Sequence, residues 1–412
     1  MKQGMLLREI TDYANRADPY PLYAELRKTP VSQQGDALFV ASTYWEIKSL
    51  LHDPRISSDA RNLSPQAAGA LAQDEEETSA LPPAFLKLDP PEHDRLRRMA
   101  MRPFGPPHTP RRVHNMRGEL AHIVSDLIDG FGDRDQVDLV DNFSYPFPVT
   151  VICRLLGIPR EDEARFHSWA DTLAASLDPD PDKDPVERRR VAQQARAELG
   201  MYLAGLVEER RGTPGDDMLS ALVTDHSPDG QMTPMEVLST AALLLIAGHE
   251  TTVNLITNGM LTLLRNPDVL KRLRDDRDLA VPLVEELLRF EPPVQLLPQR
   301  TTLDDIEIAG VTIPKGASLW LILASGNRDP QRFADPDRFD PDRKDNQHLG
   351  FGSGIHNCFG APLARLEAQL ALTELVRRLD NPRLVEDPPP YRQNAVLRGP
   401  RHLNIAFDGF RA

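Results

Sequence analysis

The sequence predicts a mainly α chain with a small β region. Apolar residues recur three and four apart over long stretches, strand-like alternation is confined to short pieces, and no internal repeat or long low-complexity tract interrupts the pattern. The amphipathic stretches are Arg117 to Phe131, Arg188 to Arg211, Pro234 to Leu264 and Pro362 to Leu379. Val31 to Val40 and Ala41 to Trp45 read as short strands, and Ile306 to Ile313 reads as a hairpin turning at Ala309-Gly310. Ser318 to Leu323 and Leu403 to Phe407 read as further strands. Ser57 to Pro83 and Asp178 to Pro185 have the composition of loops; solvated connectors are the plain expectation and lids over a pocket the functional one.

Composition narrows the function. With 412 residues, two domains are the default, although large catalytic folds run this long as one unit. Lys plus Arg number 48 against 62 Asp plus Glu, a formal net charge of −14, which argues against a nucleic-acid surface because phosphate contact needs a basic stripe. Two cysteines cannot make a disulfide framework or a four-cysteine zinc site, so a thiol that matters works alone, and the cytoplasm is the expected compartment. Met1 to Pro21 has no apolar core or cleavage site of a secretory signal. The most apolar run, Ser239 to Leu264, is broken by Gly248, His249 and Glu250 and reads as a buried helix, with no membrane span expected.

The chemistry concentrates near the C-terminus, in Phe351-Gly-Ser-Gly-Ile-His-Asn-Cys-Phe-Gly-Ala-Pro362, followed by a strongly periodic helix. Its glycines permit a tight turn in which amides converge on the Cys358 sulfur, and Pro362 falls in the first helical turn. A thiol at a helix N-terminus is drawn toward the thiolate, both nucleophile and metal ligand. A cysteine hydrolase needs a base in reach, and His356, two residues away in the loop, is poorly placed for a triad. Covalent haem attachment needs C-x-x-C-H, which is absent. A single axial thiolate on haem iron fits a lone cysteine framed by Gly and Phe. Cys153, apolar-flanked in Val149 to Leu156, reads as an inert core thiol.

The loop resembles the haem-binding signature of the cytochrome P450 family, the haem-thiolate monooxygenases, in their soluble bacterial form. The match runs through Phe351, Gly352, Gly354, His356, Cys358 and Gly360 to Leu363-Ala364-Arg365. Three other constellations resemble the same family. Glu286 and Arg289, three apart in Val284 to Phe290, are similar to its E-x-x-R element, and Arg338 in Phe333-Ala-Asp-Pro-Asp-Arg-Phe339 is implied as the third member of a buried structural network. His93 and Arg97, at i and i+4 in Leu88 to Arg97, are similar to a haem-propionate clamp, which Arg300 and His356 would complete. Leu243 to Thr252, LLLIAGHETT, resembles the oxygen-activation segment. There Ala247 and Gly248 are expected to leave room for dioxygen, Thr251 to hydrogen-bond it and Glu250 to relay protons. His249 is expected to be a local partner without a catalytic part.

The resemblance implies one triangular, mainly helical cytochrome P450 fold over residues 1–412, a single haem-binding domain with one haem b (iron protoporphyrin IX) held by Cys358. It implies a monooxygenase that inserts one atom of O2 into a hydrophobic small molecule such as a fatty acid, terpenoid, steroid-like or macrolide compound. The expected pocket is lined by Leu243, Ile246, Val294, Gln295, Leu296, Leu297, Val396 and Leu397. No flavin or iron–sulfur segment follows, so electrons are expected from a separate ferredoxin and ferredoxin reductase. Arg95, Arg98, Arg102, Arg111 and Arg112 are expected to offer an acidic ferredoxin a basic face. Two other classes compete: non-oxygenating haem chemistry, by oxidative coupling or peroxide, and a haem sensor without turnover. The intact Glu250-Thr251 pair weighs against the first, and the second expects Thr251→Ala to leave function intact.

Overall fold

The computed structural model describes residues 2–71, 82–104, 112–177, 185–226 and 229–411. The longest helix, Pro234–Arg265, spans 32 residues, about 48 Å of rise. Thr233 starts it with a reciprocal cap: Glu236 N donates to Thr233 Oγ1 at 3.2 Å and Thr233 N donates to Glu236 Oε2 at 2.7 Å. Pro234 occupies the first turn, where a missing N–H costs nothing. Helices Pro146–Leu156, Ala280–Phe290 and Ala361–Arg378 pack around it, and the main apolar core lies between them. Burying this helix on several sides explains why its sequence is apolar almost all round.

The strands are β1 (Val31–Gln33), β2 (Leu38–Ala41), β3 (Ile56–Ser57), β4 (Gln136–Asp138), β5 (Leu297–Thr302), β6 (Ile306–Ile308), β7 (Val311–Ile313), β8 (Ser318–Leu321), β9 (Leu379–Asp380), β10 (Arg383–Leu384), β11 (Asn404–Ala406) and β12 (Gly409–Phe410). The main sheet runs β1-β2-β8-β5-β3, with β2 and β8 parallel and the other pairs antiparallel. A second apolar cluster fixes this sheet to helix Tyr44–His52, and a third lies under the N-terminal helices.

The hairpin β6–β7 turns at Ala309-Gly310, both with positive φ. Three expectations need correction. The strand expected over Ala41 to Trp45 ends at Ala41, because Thr43 is the N-cap of Tyr44–His52 and Asp329 Oδ2 accepts from Tyr44 N at 2.9 Å. Ser57 to Pro83 is not loop throughout: it ends β3 and contains a 3₁₀ turn, Ala60–Asn62, and helix Pro65–Leu71, while 72–81 fall outside the described residues. Residues 178–184 also fall outside them, and Pro185 already begins the helix Pro185–Gly212. No helix among the described residues is long and apolar enough to cross a membrane.

Candidate active site

The Cys358 loop is pressed against helix Tyr44–His52. Gly354 has φ +69, and a Cβ there would lie 2.0 Å from Leu51 O, so only glycine fits both the backbone angle and the approach. Cys358 N donates to Phe351 O at 2.9 Å, closing the loop. The rings of Phe85 and Phe104 stand edge-on to Phe359 at 5.6 and 5.0 Å. The Cys358 residue is exposed, and amides of Gly360 and Ala361 reach its sulfur at the start of helix Ala361–Arg378. Burial among neighbouring atoms nevertheless pushes the thiol above its ordinary value, more than those amides and Arg97 and Arg365 pull it down. The amides at the helix N-terminus do pull the thiol toward thiolate, as expected, without outweighing that burial. A metal cation held by Cys358 would supply the missing charge, since a coordinating thiol is deprotonated outright.

Behind the loop lies a buried ion pair. Arg289 and Glu286 are both 0 % exposed and joined by two bonds of 2.7 and 2.8 Å. Arg289 also donates to the carbonyls of Asn327, Pro336 and Arg338, and Glu286 accepts from Asp340 N and Asn346 Nδ2. Asn327 passes the restraint on: its Oδ1 accepts from Leu349 N at 2.7 Å, and Leu349 O accepts from Gly352 N. Arg338 contributes only its carbonyl; its side chain is 69 % exposed near Asp340. The cation that reaches Glu286 is Arg343, at 3.4 Å and 11 % exposed. The sequence contains Asp-Pro-Asp-Arg twice, ending at 338 and 343, and the second unit turns its arginine inward. A neighbouring clamp also escaped the sequence analysis. Glu285 holds Arg365 through bonds of 2.6 and 2.9 Å and His348 at 3.2 Å; burial works against its charge, but these partners hold it down to about 2.

A second group of donors gathers beside the cysteine. The rings of His93 and His356 lie 4.4 Å apart, and Arg97 Nη2 donates to Asn357 O. His93 is 1 % exposed, yet its Nε2 and both ring nitrogens of His356 have no hydrogen-bond partner. His356 is driven down to about 3, by burial first and then by His93, Arg300 and Arg97. Burial also lowers the Arg97 and Arg300 guanidiniums. Such an assembly of cations and orphaned donors calls for an anion with several oxygens.

On helix Pro234–Arg265, Ile246 is 50 % exposed and Ala247 is exposed, while Leu244, Leu245, His249 and Glu250 around them are buried. The open face continues to Thr251, whose Oγ1 donates to Ala247 O at 2.7 Å. Gly248 does not join it: a Cβ there would meet Ile152 Cδ1 at 2.8 Å, so this glycine serves the close approach of helix Pro146–Leu156. Glu250 is buried and paired with Arg392, whose Nε lies 3.2 Å from Oε1. Nothing in the local sequence announces this partner.

A family model described as Cytochrome P450 matches residues 83–407. The chain belongs to the cytochrome P450 family. Cytochrome P450 monooxygenase PikC of Streptomyces venezuelae is 41% identical over 406 residues, covering 95% of this chain and 91% of the relative. The 6-deoxyerythronolide B hydroxylase of Saccharopolyspora erythraea is 37% identical, covering 95% and 96%. A ligand-free crystal structure of Mycobacterium smegmatis CYP164A2 superposes with a TM-score of 0.86 at 41% identity, covering 98% of this chain and 100% of that one. This P450 is therefore a monooxygenase that uses O2 and a small-molecule substrate and binds one haem, iron protoporphyrin IX, per chain. The residues present fit that group. Cys358 offers a lone sulfur, and the orphaned His93 Nε2 and His356 nitrogens, with Arg97 and Arg300, offer donors suited to two carboxylates.

The expected substrate wall of this P450 divides in two. Val294 pairs with Leu397 in an antiparallel bridge, and Val294 and Leu297 pack against the sheet cluster. Gln295 is 0 % exposed and turned away, its Oε1 accepting from Tyr23 OH and its Nε2 donating to Pro292 O. Leu296 and Val396 belong to the N-terminal cluster. These separate contacts divide the four consecutive residues 294–297 between different surroundings. Leu243, Ile246, Val294, Leu297 and Leu397 remain as candidates.

The arginine cluster is also corrected. Arg95 is paired with Glu236, Arg98 with Asp229, Arg102 with Asp225 and Asp229, and Arg112 lies 3.8 Å from Asp216; Arg111 is outside the described residues. Each described arginine meets a carboxylate, so the face is charge-balanced. Cys153 is fully buried and its thiol is pushed up to about 12, first by burial, as befits core filler.

His249 is 4 % exposed, stands perpendicular to Tyr145 at 4.6 Å and is driven down to about 3, by burial first and then by Arg392 and His167. A histidine held neutral in the fold takes up its proton first in the unfolded chain, at about pH 6.5. Its contribution is therefore complete above about pH 6.5 and is lost as pH falls toward 3. At about 1.4 kcal/mol per pH unit, the loss reaches about 2 kcal/mol between pH 6.5 and 5. His249→Gln should flatten the pH dependence of urea unfolding by that amount; an unchanged slope would refute the assignment.

Proposed function

We propose that this P450 hydroxylates a hydrophobic small molecule, works as a single haem domain over residues 1–412, and receives its electrons from a separate ferredoxin and ferredoxin reductase. The overall reaction is RH + O2 + 2 e⁻ + 2 H⁺ → ROH + H2O. The observation that carries the reading is the juxtaposition on one helix of an apolar open face, Ile246 and Ala247, with the alcohol of Thr251 and the acid of Glu250. The relative named 6-deoxyerythronolide B hydroxylase supports hydroxylation. Two cysteines cannot ligate a four-cysteine iron–sulfur cluster in the same 412 residues, which supports an external electron donor.

When bound, haem on Cys358 supplies dioxygen activation and oxygen insertion. His93, Arg97, Arg300 and His356 bind the propionates and fix the ring's orientation. Leu243, Ile246, Val294, Leu297 and Leu397 hold the apolar substrate and exclude water. Thr251 Oγ1 holds a proton at the open face, and Glu250 replaces it as it is consumed. Turnover under labelled dioxygen should place one labelled atom in the product. Thr251→Ala should lower product formed per electron by at least about tenfold, with hydrogen peroxide rising in its place. Unlabelled product, or full coupling in Thr251→Ala, would contradict the reading.

A further inference from the structure

Two cations act on the Cys358 sulfur, Arg97 and Arg365. Arg97 stands with the donors assigned to the propionates, whereas Arg365, in the second turn of helix Ala361–Arg378, has a carboxylate of its own. Glu285 grips it with both oxygens, Oε1 accepting from Nε at 2.6 Å and Oε2 from Nη2 at 2.9 Å. The guanidinium lies 4.6 Å from the centre of the Phe351 ring, and Phe351 O accepts from Cys358 N at 2.9 Å. One residue therefore links the pair to the sulfur-bearing one. The carboxylate is fixed from its other side as well. Gly350 N donates to His348 Nδ1 at 3.1 Å, which leaves the ring proton on Nε2, and Nε2 donates to Glu285 Oε2 at 3.2 Å. Unlike Glu286 and Arg289, which are fully buried, Glu285 and Arg365 are 28 and 36 % exposed. A pair so open to solvent adds little stability. Its two charges nevertheless stand beside the haem loop, and an acid this close offsets much of the field that the arginine exerts there.

We propose that Glu285 and Arg365 form a charge pair that sets the potential at which haem on Cys358 accepts an electron: Arg365 places a positive charge beside the sulfur loop, and Glu285 offsets it. This rests on the seat of haem on Cys358 in the proposed function. Reduction adds one electron, supplied by the redox partner, to the haem iron and breaks no bond. A positive charge nearby favours the reduced form and a negative charge the oxidised one. The two members of the pair therefore act with opposite signs, which a packing role does not require.

The experiment compares haem-loaded wild type, Glu285→Gln, Arg365→Gln, Arg365→Lys and the double variant Glu285→Gln/Arg365→Gln by spectroelectrochemical titration of the midpoint potential. Urea unfolding and the carbon monoxide spectrum are recorded on the same proteins. Glu285→Gln should raise the equilibrium constant for reduction at least about threefold, or about 28 mV at 59 mV per tenfold for one electron. Arg365→Gln should lower it by a similar factor. Arg365→Lys, which keeps the charge, and the double variant, which removes both charges, should stay close to wild type. A pair that only steadies the loop would move both single variants in the same direction, or would lower the urea midpoint and leave both potentials at the wild-type value; either result overturns the inference. If Arg365→Gln fails to hold haem, Glu285→Gln and Arg365→Lys decide. A raised potential in the first with a wild-type potential in the second then supports the inference, and any other combination overturns it. A carbon monoxide spectrum of the imidazole type from reduced wild type would instead overturn the seat of haem on Cys358 beneath it.

Discussion

Arg289→Leu should cost about 3–5 kcal/mol of stability, because it leaves the fully buried Glu286 carboxylate without its main partner. Urea unfolding of the purified variant measures the loss, and haem content measured in parallel should fall with it. The reason for the second effect is mechanical. Arg289 holds the Asn327 carbonyl, Asn327 holds Leu349, and Leu349 begins the loop that ends in Cys358. Arg343→Gln should show a smaller loss of the same kind, since it removes a longer contact to the same acid. Arg338→Ala should stay within about 0.5 kcal/mol, as its side chain lies mostly in solvent. A large loss from Arg338→Ala with little from Arg343→Gln would reverse the assignment of the two arginines.

Cys358→Ser should abolish turnover, by at least about 10³-fold or ~4 kcal/mol of barrier, while changing the stability of the haem-free chain by less than about 1 kcal/mol. The two effects separate because Cys358 is exposed and fills no core, whereas it supplies the sulfur that this family's chemistry requires. Product formation by the haem-loaded protein and urea unfolding of the haem-free chain test both halves. Cys153→Ala gives the opposite pattern: it empties a fully buried site and should cost stability without removing turnover. Retained turnover in Cys358→Ser would refute the role of the sulfur.

What could be read from the sequence was local. The Cys358 loop, Glu286-x-x-Arg289, His93 with Arg97, and Glu250-Thr251 each lie within a few residues, and the long helices repeat with an even period. Features that depend on distant segments could not be read. Arg392 meets Glu250 only because the C-terminal turn folds back along the long helix. Arg338 and Arg343 end identical tetrapeptides, and only the chain's path shows which one points inward. Strand β5 is disguised by Pro298 and by a register irregularity between Leu297 and Arg300. The close approach of Ile152 to Gly248 depends on how two helices pack and has no local sequence signal. The arginines after His93 look basic in order of sequence because their carboxylates lie more than a hundred residues further on.

The direct test of Cys358 as the axial ligand is the carbon monoxide spectrum of the reduced, haem-loaded wild-type protein. A thiolate-ligated haem gives the red-shifted Soret band, and Cys358→Ser should lack it. A Soret band of the ordinary imidazole type from intact wild-type protein would contradict the account.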